Sequence, residues 1–219
     1  MLDLKNIKFE LLELNSGNKL EINSPSIITV ISGKIKEDTG RGLNKFESSI
    51  YYKINLEVLE DTLVIVIKVD DRNILLNEID VNKEYGDFCR KNWISGDDLF
   101  PGCGLDKADL YRSNQLEKEF LGEKYKFNYW FCGPRVNCGI HNVHNFVEIH
   151  TNIMGDGFMQ KFENKKEDSL YETVGLMPGN SHRRFDVDLQ TDKDGNPKYP
   201  YHRWLGGKTG NIWLVIEQY

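Results

Sequence analysis

What this 219-residue chain lacks narrows the possibilities first. No apolar run approaches the ~20 residues that a helix needs to cross a bilayer. The opening stretch, MLDLKNIKFELLEL, interleaves charge with apolar residues where a secretory leader carries a clean apolar core. A cytoplasmic location and no membrane partner are the resulting expectations. Basic residues are outnumbered, 28 Lys and Arg against 34 Asp and Glu, for a formal charge of −6 and a pI near 5.5. They are scattered among the acids, so no stripe exists to neutralise a phosphate backbone, and nucleic acid is not an expected partner. The four cysteines, Cys89, Cys103, Cys132 and Cys138, form no CxxC pair. A chain of this size does not need disulfides, so reduced thiols are expected and a four-thiolate zinc site is not.

Nucleotide-binding signatures are missing as well. GGKTG at Gly206 to Gly210 has the glycine-lysine-threonine of a phosphate loop, but the earlier glycine falls on His202 and strand residues follow instead of a helix. GRG at Gly40 to Gly42 lacks the third glycine of a dinucleotide fingerprint. There is no low-complexity tract and no short-period repeat.

What is present is β-type patterning. From Ser26 to Val69, SIITVISGKI, SSIYYKINLEVLE and DTLVIVIKV alternate with turn signals and read as a meander of short antiparallel strands without a histidine. From Asp70 to about Leu121, DVNKEYGDFCRKNW and SNQLEKEFLG offer helical patterns around a turn-rich stretch. Strand signals then return as KYKFNYWF, NFVEIHTNIM, GFMQKFE, SLYETVGLM and NIWLVIEQY, with GDG and PGNS among the breaks. The expected organisation is a β-half over residues 1–75, a helical and loop linker over 76–121, and a second β-domain over 122–219.

Four of the five histidines fall between Cys138 and His182, and the densest part reads CGIHNVHNFVEIHTNIMGDG. It places His141, His144, Glu148 and His150 within ten residues. Imidazole with carboxylate suits iron, zinc, manganese, nickel or copper better than calcium or magnesium. If Phe146 to Met154 is a strand, Glu148, His150 and Asn152 share one face, and His144 precedes it where the chain can bend back toward Glu148.

The same segment resembles the first motif of the cupin superfamily. Three residues separate His144 from Glu148, and six separate Glu148 from Gly155. MPGNSHRRF resembles the second motif, a proline-glycine turn two residues ahead of the last histidine, here His182. The family pattern has histidine, any residue, histidine, whereas Asn142 stands where the first is expected and His141 lies one position earlier. Either a bulge brings His141 to the metal, or His144, Glu148 and His182 hold it alone. SPSIITVISGKI and LEDTLVIVIKV resemble the strand-glycine-strand and closing-strand signatures of a degenerate first half. The resemblance implies an all-β, double-stranded β-helix fold, a cupin jelly-roll barrel, with a helical insert between two β-rich halves and the metal in the second.

It also implies one divalent transition metal, Fe(II) first and Zn, Mn or Ni as alternatives, with positions open to a small-molecule substrate. The function expected first is a non-haem Fe(II) oxygenase acting on a small polar metabolite that bears carboxylate or hydroxyl groups. A metal-dependent isomerase, epimerase or lyase is the second reading, and a non-enzymatic small-molecule-binding cupin the third. His150, on the Glu148 face, is either an acid-base or substrate-binding group or a partner that orients a ligand. Arg184 would share a strand face with His182 and grip a substrate carboxylate, or simply lie solvated. Gln160 in GFMQKFE, and Tyr201 and His202 in NPKYPYHRW, are the remaining pocket candidates, the last segment fitting either a lid or a packed loop. Homodimerisation, pairing exposed strand edges, completes the expectations.

Overall fold

A computed structural model of the chain describes residues 4–99, 108–142, 146–185 and 199–219. The first half contains eight strands: β1 (Ile7–Leu14), β2 (Lys19–Ile22), β3 (Ser26–Ser32), β4 (Lys34–Glu37), β5 (Gly42–Asn44), β6 (Ser48–Tyr51), β7 (Ile54–Val58) and β8 (Thr62–Val69). They do not form the meander that the alternation suggests. They make two four-stranded sheets, ordered β1-β8-β3-β6 and β2-β7-β4-β5, the interleaved arrangement of an eight-stranded jelly roll. Chain neighbours are split between the sheets because each run turns its apolar set into a shared interior. Leu20, Ile22, Ile28, Val30, Ile35, Leu56, Val58, Val64 and Val66 fill that interior with aliphatic side chains.

The run TLVIVIKV of β8 is almost continuously buried because both of its faces are covered. Val64 and Val66 look into the first barrel, while Leu63, Ile65, Ile67 and Val69 join Tyr125, Phe127, Tyr129, Phe131, Ile149, Ile153, Leu214 and Ile216 of the second half. The two halves are therefore joined back to back through one apolar layer.

Between them lie the helical elements α1 (Arg72–Leu75), α2 (Asp87–Asn92), preceded by a π-type turn at Asn82–Gly86, and α3 (Gly96–Leu99). The same stretch carries β9 (Ile94–Ser95), β10 (Leu110–Arg112) and β11 (Leu116–Phe120). SNQLEKEFLG is thus a strand and not the helix its Leu116 and Phe120 spacing allows. Leu116, Lys118 and Phe120 are half-buried and alternate with exposed Glu117 and Glu119. Leu121 and Gly122, at φ 50° and 83°, make the tight reversal into β12.

The second half adds β12 (Glu123–Cys132), β13 (Val147–Phe162), β14 (Leu170–Leu176) and β15 (Tyr201–Gln218), in the order β14-β13-β15-β12-β10-β9, with β11 also on β12. GDG and GGKTG do not end strands here. They lie inside β13 and β15 and bend them, with register shifts at Asn152/Met154 and Gly155/Gly157. Gly155 and Gly210 sit at φ 72° and 77°, and a Cβ on Gly155 would meet the Gly210 carbonyl oxygen at 2.2 Å. The bent sheet curls round a second interior built from Trp130, Trp204, Trp213, Phe185, Tyr199, Met159, Cys132 and Cys138. Among the described residues no helix is long and apolar enough to cross a membrane.

Candidate metal centre and ligand pocket

Strand alternation sorts the side chains of β13. Ile149 and Ile153 enter the layer between the halves, and Thr151 faces Thr29 of the first barrel. Glu148, His150 and Asn152 consequently take the opposite, concave face. Antiparallel pairing with β15 brings residues distant in sequence onto that face, including His202, Trp204 and Trp213.

The charged core of the pocket is Glu148. His150 Nε2 lies 3.3 Å from Glu148 Oε1, and His202 Nε2 lies 3.9 Å from Glu148 Oε2. All three residues are under 8 % exposed. His202 directs Nδ1 at the Pro200 carbonyl, 2.9 Å away, which leaves Nε2 turned to the carboxylate. His141 joins from the segment before β13 and exchanges two backbone hydrogen bonds with His202, at 3.0 and 2.9 Å. The two imidazole centroids are 4.5 Å apart. His144 lies outside the described residues. The Glu148 N–H donates to the Tyr199 hydroxyl at 2.5 Å, which pins the strand at the carboxylate.

His182 is placed against this group but is engaged differently from the role that the motif implies. Its Nε2 accepts the His150 backbone N–H at 3.0 Å, and its Nδ1 lies 2.7 Å from the Arg183 carbonyl. The lone pair that a metal would need is directed at a backbone donor. Burial first, and the neighbouring His150 second, push the His182 pKa down to about 3, so the ring is neutral and carries its proton on Nδ1. Its ring stacks on Phe185 at 4.6 Å.

The enclosure is aromatic. Trp204 and Trp213 stack at 4.6 Å, Trp130 stacks on Trp213 at 6.3 Å, and His150 meets the edge of Trp204 at 5.4 Å. Two polar atoms in it, His150 Nδ1 and Trp213 Nε1, are buried and have no hydrogen-bond partner among the described residues. Such groups in a packed interior call for water, an ion or a ligand. At the floor, Asn211 accepts from Cys132 Sγ (2.8 Å) and Trp204 Nε1 (3.2 Å) and donates to Asn152, locking the bend. Cys89, Cys132 and Cys138 are unpaired.

A second buried carboxylate, Glu217, is the β15 partner of Glu148. Burial raises its pKa, and the Glu148 charge adds to the rise against hydrogen bonds from Tyr219 and Asn128. Sequence reasoning passed over Glu217. Glu217 occurs in an ordinary β pattern, and only the register places it beside Glu148.

The other expected pocket residues lie apart. Gln160 accepts from Arg203 Nε (2.8 Å) and donates to Thr173 (3.1 Å), neither of which belongs to the cluster. Tyr201 adjoins His202 on β15, so alternation turns it to the opposite face. Arg184 lies over the Phe46 ring of the first barrel at 5.3 Å, instead of reaching in beside His182. Among the described residues, no three His, Cys, Asp or Glu side chains are disposed to hold a metal ion together.

No protein-family profile matches the chain, and no curated protein matches it. Among solved structures it is similar to oxalate decarboxylase from Bacillus subtilis at pH 4.6, with 11% identity over 97% of this chain and 68% of that one, at a TM-score of 0.35. It is also similar to a cupin 2 conserved barrel domain protein from Leptotrichia buccalis, with 10% identity over 99% and 86% and a TM-score of 0.33. A third likeness is to oxalate oxidase in complex with the substrate analogue glycolate, with 13% identity over 43% and 41% and a TM-score of 0.32.

Proposed function

We propose that the chain is a metal-dependent cupin enzyme acting on a small polar molecule, with its second barrel catalytic and its first a degenerate half without ligands. The observation that carries this reading is the convergence of His150 and His202 on the two oxygens of one buried carboxylate, Glu148, inside an aromatic enclosure. The orphaned His150 Nδ1 and Trp213 Nε1 support an occupant there. The donor chemistry fits a divalent transition ion, Fe(II) first and Mn, Zn or Ni otherwise. Glu148 would anchor it, and because the described side chains do not by themselves close a three-donor site, His150, His202 and His141 would have to turn toward it, with His144 as the further imidazole. When bound, such an ion supplies a Lewis acid with positions left for substrate.

The protein's own groups do the rest. Trp130, Trp204, Trp213 and Phe185 exclude water from the interior. Tyr199 fixes the Glu148 backbone, and His182 fixes that of His150. This dry, aromatic site suits non-haem Fe(II) oxygen chemistry, the reading we place first. The raised pKa of Glu217 favours a second, an isomerase or lyase in which that carboxyl holds and moves a proton.

Elemental analysis of protein purified without chelator or metal-affinity resin, beside Glu148→Ala, tests the metal. About one ion per chain is expected, lost in the variant. Iron with substrate-dependent oxygen uptake supports the oxygenase; another metal without oxygen uptake supports the isomerase or lyase. Wild-type protein that neither contains nor takes up Fe(II), Mn(II), Ni(II) or Zn(II) refutes the reading.

A further inference from the structure

A cleft of about 580 Å³ opens where the two barrels meet. One wall runs from Arg41 to Ser48 of the first barrel, through β5 and the turn into β6. The other is the segment Asn180 to Arg184 that follows β14. Four of its lining residues, Arg41, Lys45, Arg183 and Arg184, carry positive charge. Among the described residues the single lining carboxylate, Glu47, is turned to the backbone and side-chain amides of Asn44, at 2.8 and 3.0 Å. Glu123, which also acts on Lys45 and Arg184, accepts from Gln218 Nε2 at 2.8 Å.

Two of the cations are held where they repel each other. Lys45 Nζ lies 5.0 Å and the Arg184 guanidinium 5.3 Å from the same Phe46 ring. Both side chains are partly buried, and burial lowers both pKa values, with Arg184 adding to the effect on Lys45. Phe46 is itself at φ 66°, a left-handed conformation costly for a bulky side chain. The floor is built rather than incidental. The Ser48 hydroxyl bonds the Gly179 carbonyl and the Ser181 hydroxyl, both at 2.8 Å, and Ser181 continues to Thr151 of β13 at 2.7 Å. A net-acidic chain thus concentrates cations in one shaped cavity, of the size that takes a small ligand.

We propose that this cleft binds a compact, multiply anionic small molecule, a phosphate ester or a polycarboxylate, through Arg41, Lys45, Arg183 and Arg184. A bound anion accepts a charge-assisted hydrogen bond from the Lys45 ammonium and two-point hydrogen bonds from the guanidinium groups. The proposal does not rest on the metal reading. His182 lines both the cleft and the barrel interior, so occupancy is positioned to be felt at His150.

Calorimetric titration of the full chain with pyrophosphate and with citrate tests it, using wild type, Arg41→Gln/Arg183→Gln and Lys45→Gln/Arg184→Gln. Wild type is expected to bind at least one probe, more weakly as salt rises. Each double variant, with its fold checked by circular dichroism and melting without probe, should bind about tenfold or more weakly. Preference for pyrophosphate identifies a phosphate ligand, and preference for citrate a polycarboxylate. The proposal fails if neither probe binds at millimolar concentration, or if the folded Arg41→Gln/Arg183→Gln variant binds as wild type does.

Discussion

Glu148 and Glu217 stand opposite each other across the β13–β15 ladder, and both are buried. Directly paired residues of an antiparallel ladder place their side chains on the same face, so two carboxylates share one low-dielectric space. Burial first, and the Glu148 charge after it, raise the pKa of Glu217. Between the unfolded value of 4.5 and the raised folded value, the native chain holds a proton that the unfolded chain has lost. Stability from this group therefore falls as pH rises through the folded pKa. Melting of metal-free protein across pH should show Glu217→Gln indistinguishable from wild type in acid and a few degrees more stable at neutral pH. A variant less stable at neutral pH would mean that the Glu217 charge is a net support.

The His182 clasp gives a second prediction. His182→Phe keeps the stacking partner of Phe185 but removes the acceptor of the His150 N–H. A buried backbone donor left without a partner costs about 1–3 kcal/mol. Chemical denaturation should show a loss of that size, and hydrogen exchange at His150 should accelerate. If the amide stays fully protected, the Nε2 contact is not what holds it.

Much of this was legible in the sequence. The all-β character and the common face of Glu148 and His150 follow from period-two patterning. His202 was legible only as a pocket residue, because its approach to Glu148 depends on how two long strands pair after each has bent. The bend at GDG was misread for a physical reason. GDG is a turn signal locally, yet here Gly155 provides a positive φ and Gly157 a close approach within a strand that continues. The engagement of His182 with a backbone N–H was also out of reach, since a motif names a residue type and not the direction of its lone pair.

The bend predicts its own sensitivity. Gly155→Ala places a methyl 2.2 Å from the Gly210 carbonyl oxygen at a φ of 72°. Two backbones would have to separate, with a loss of about 3 kcal/mol or more. Gly175→Ala is the control, because its Cβ meets only the Phe158 ring edge at 3.7 Å, and it should melt close to wild type. Equal losses in the two variants would argue against the corner as drawn.

The aromatic enclosure supplies a direct report on occupancy. Trp204 lies 5.4 Å and Trp213 6.1 Å from the His150 ring, centroid to centroid, and Trp130 stacks on Trp213. Of the four tryptophans in the chain, these three line the second barrel and Trp93 stacks on Tyr129 in the layer between the barrels. A paramagnetic divalent ion anchored at Glu148 would quench most of the intrinsic fluorescence. Titration with Ni(II) or Co(II) should therefore dim wild-type emission saturably, and Glu148→Gln should lose the saturable phase while Lys45→Gln/Arg184→Gln keeps it. Saturable quenching that survives Glu148→Gln would place the ion elsewhere. Its absence from wild type under conditions where the protein demonstrably binds metal would show that the ion does not enter the aromatic interior.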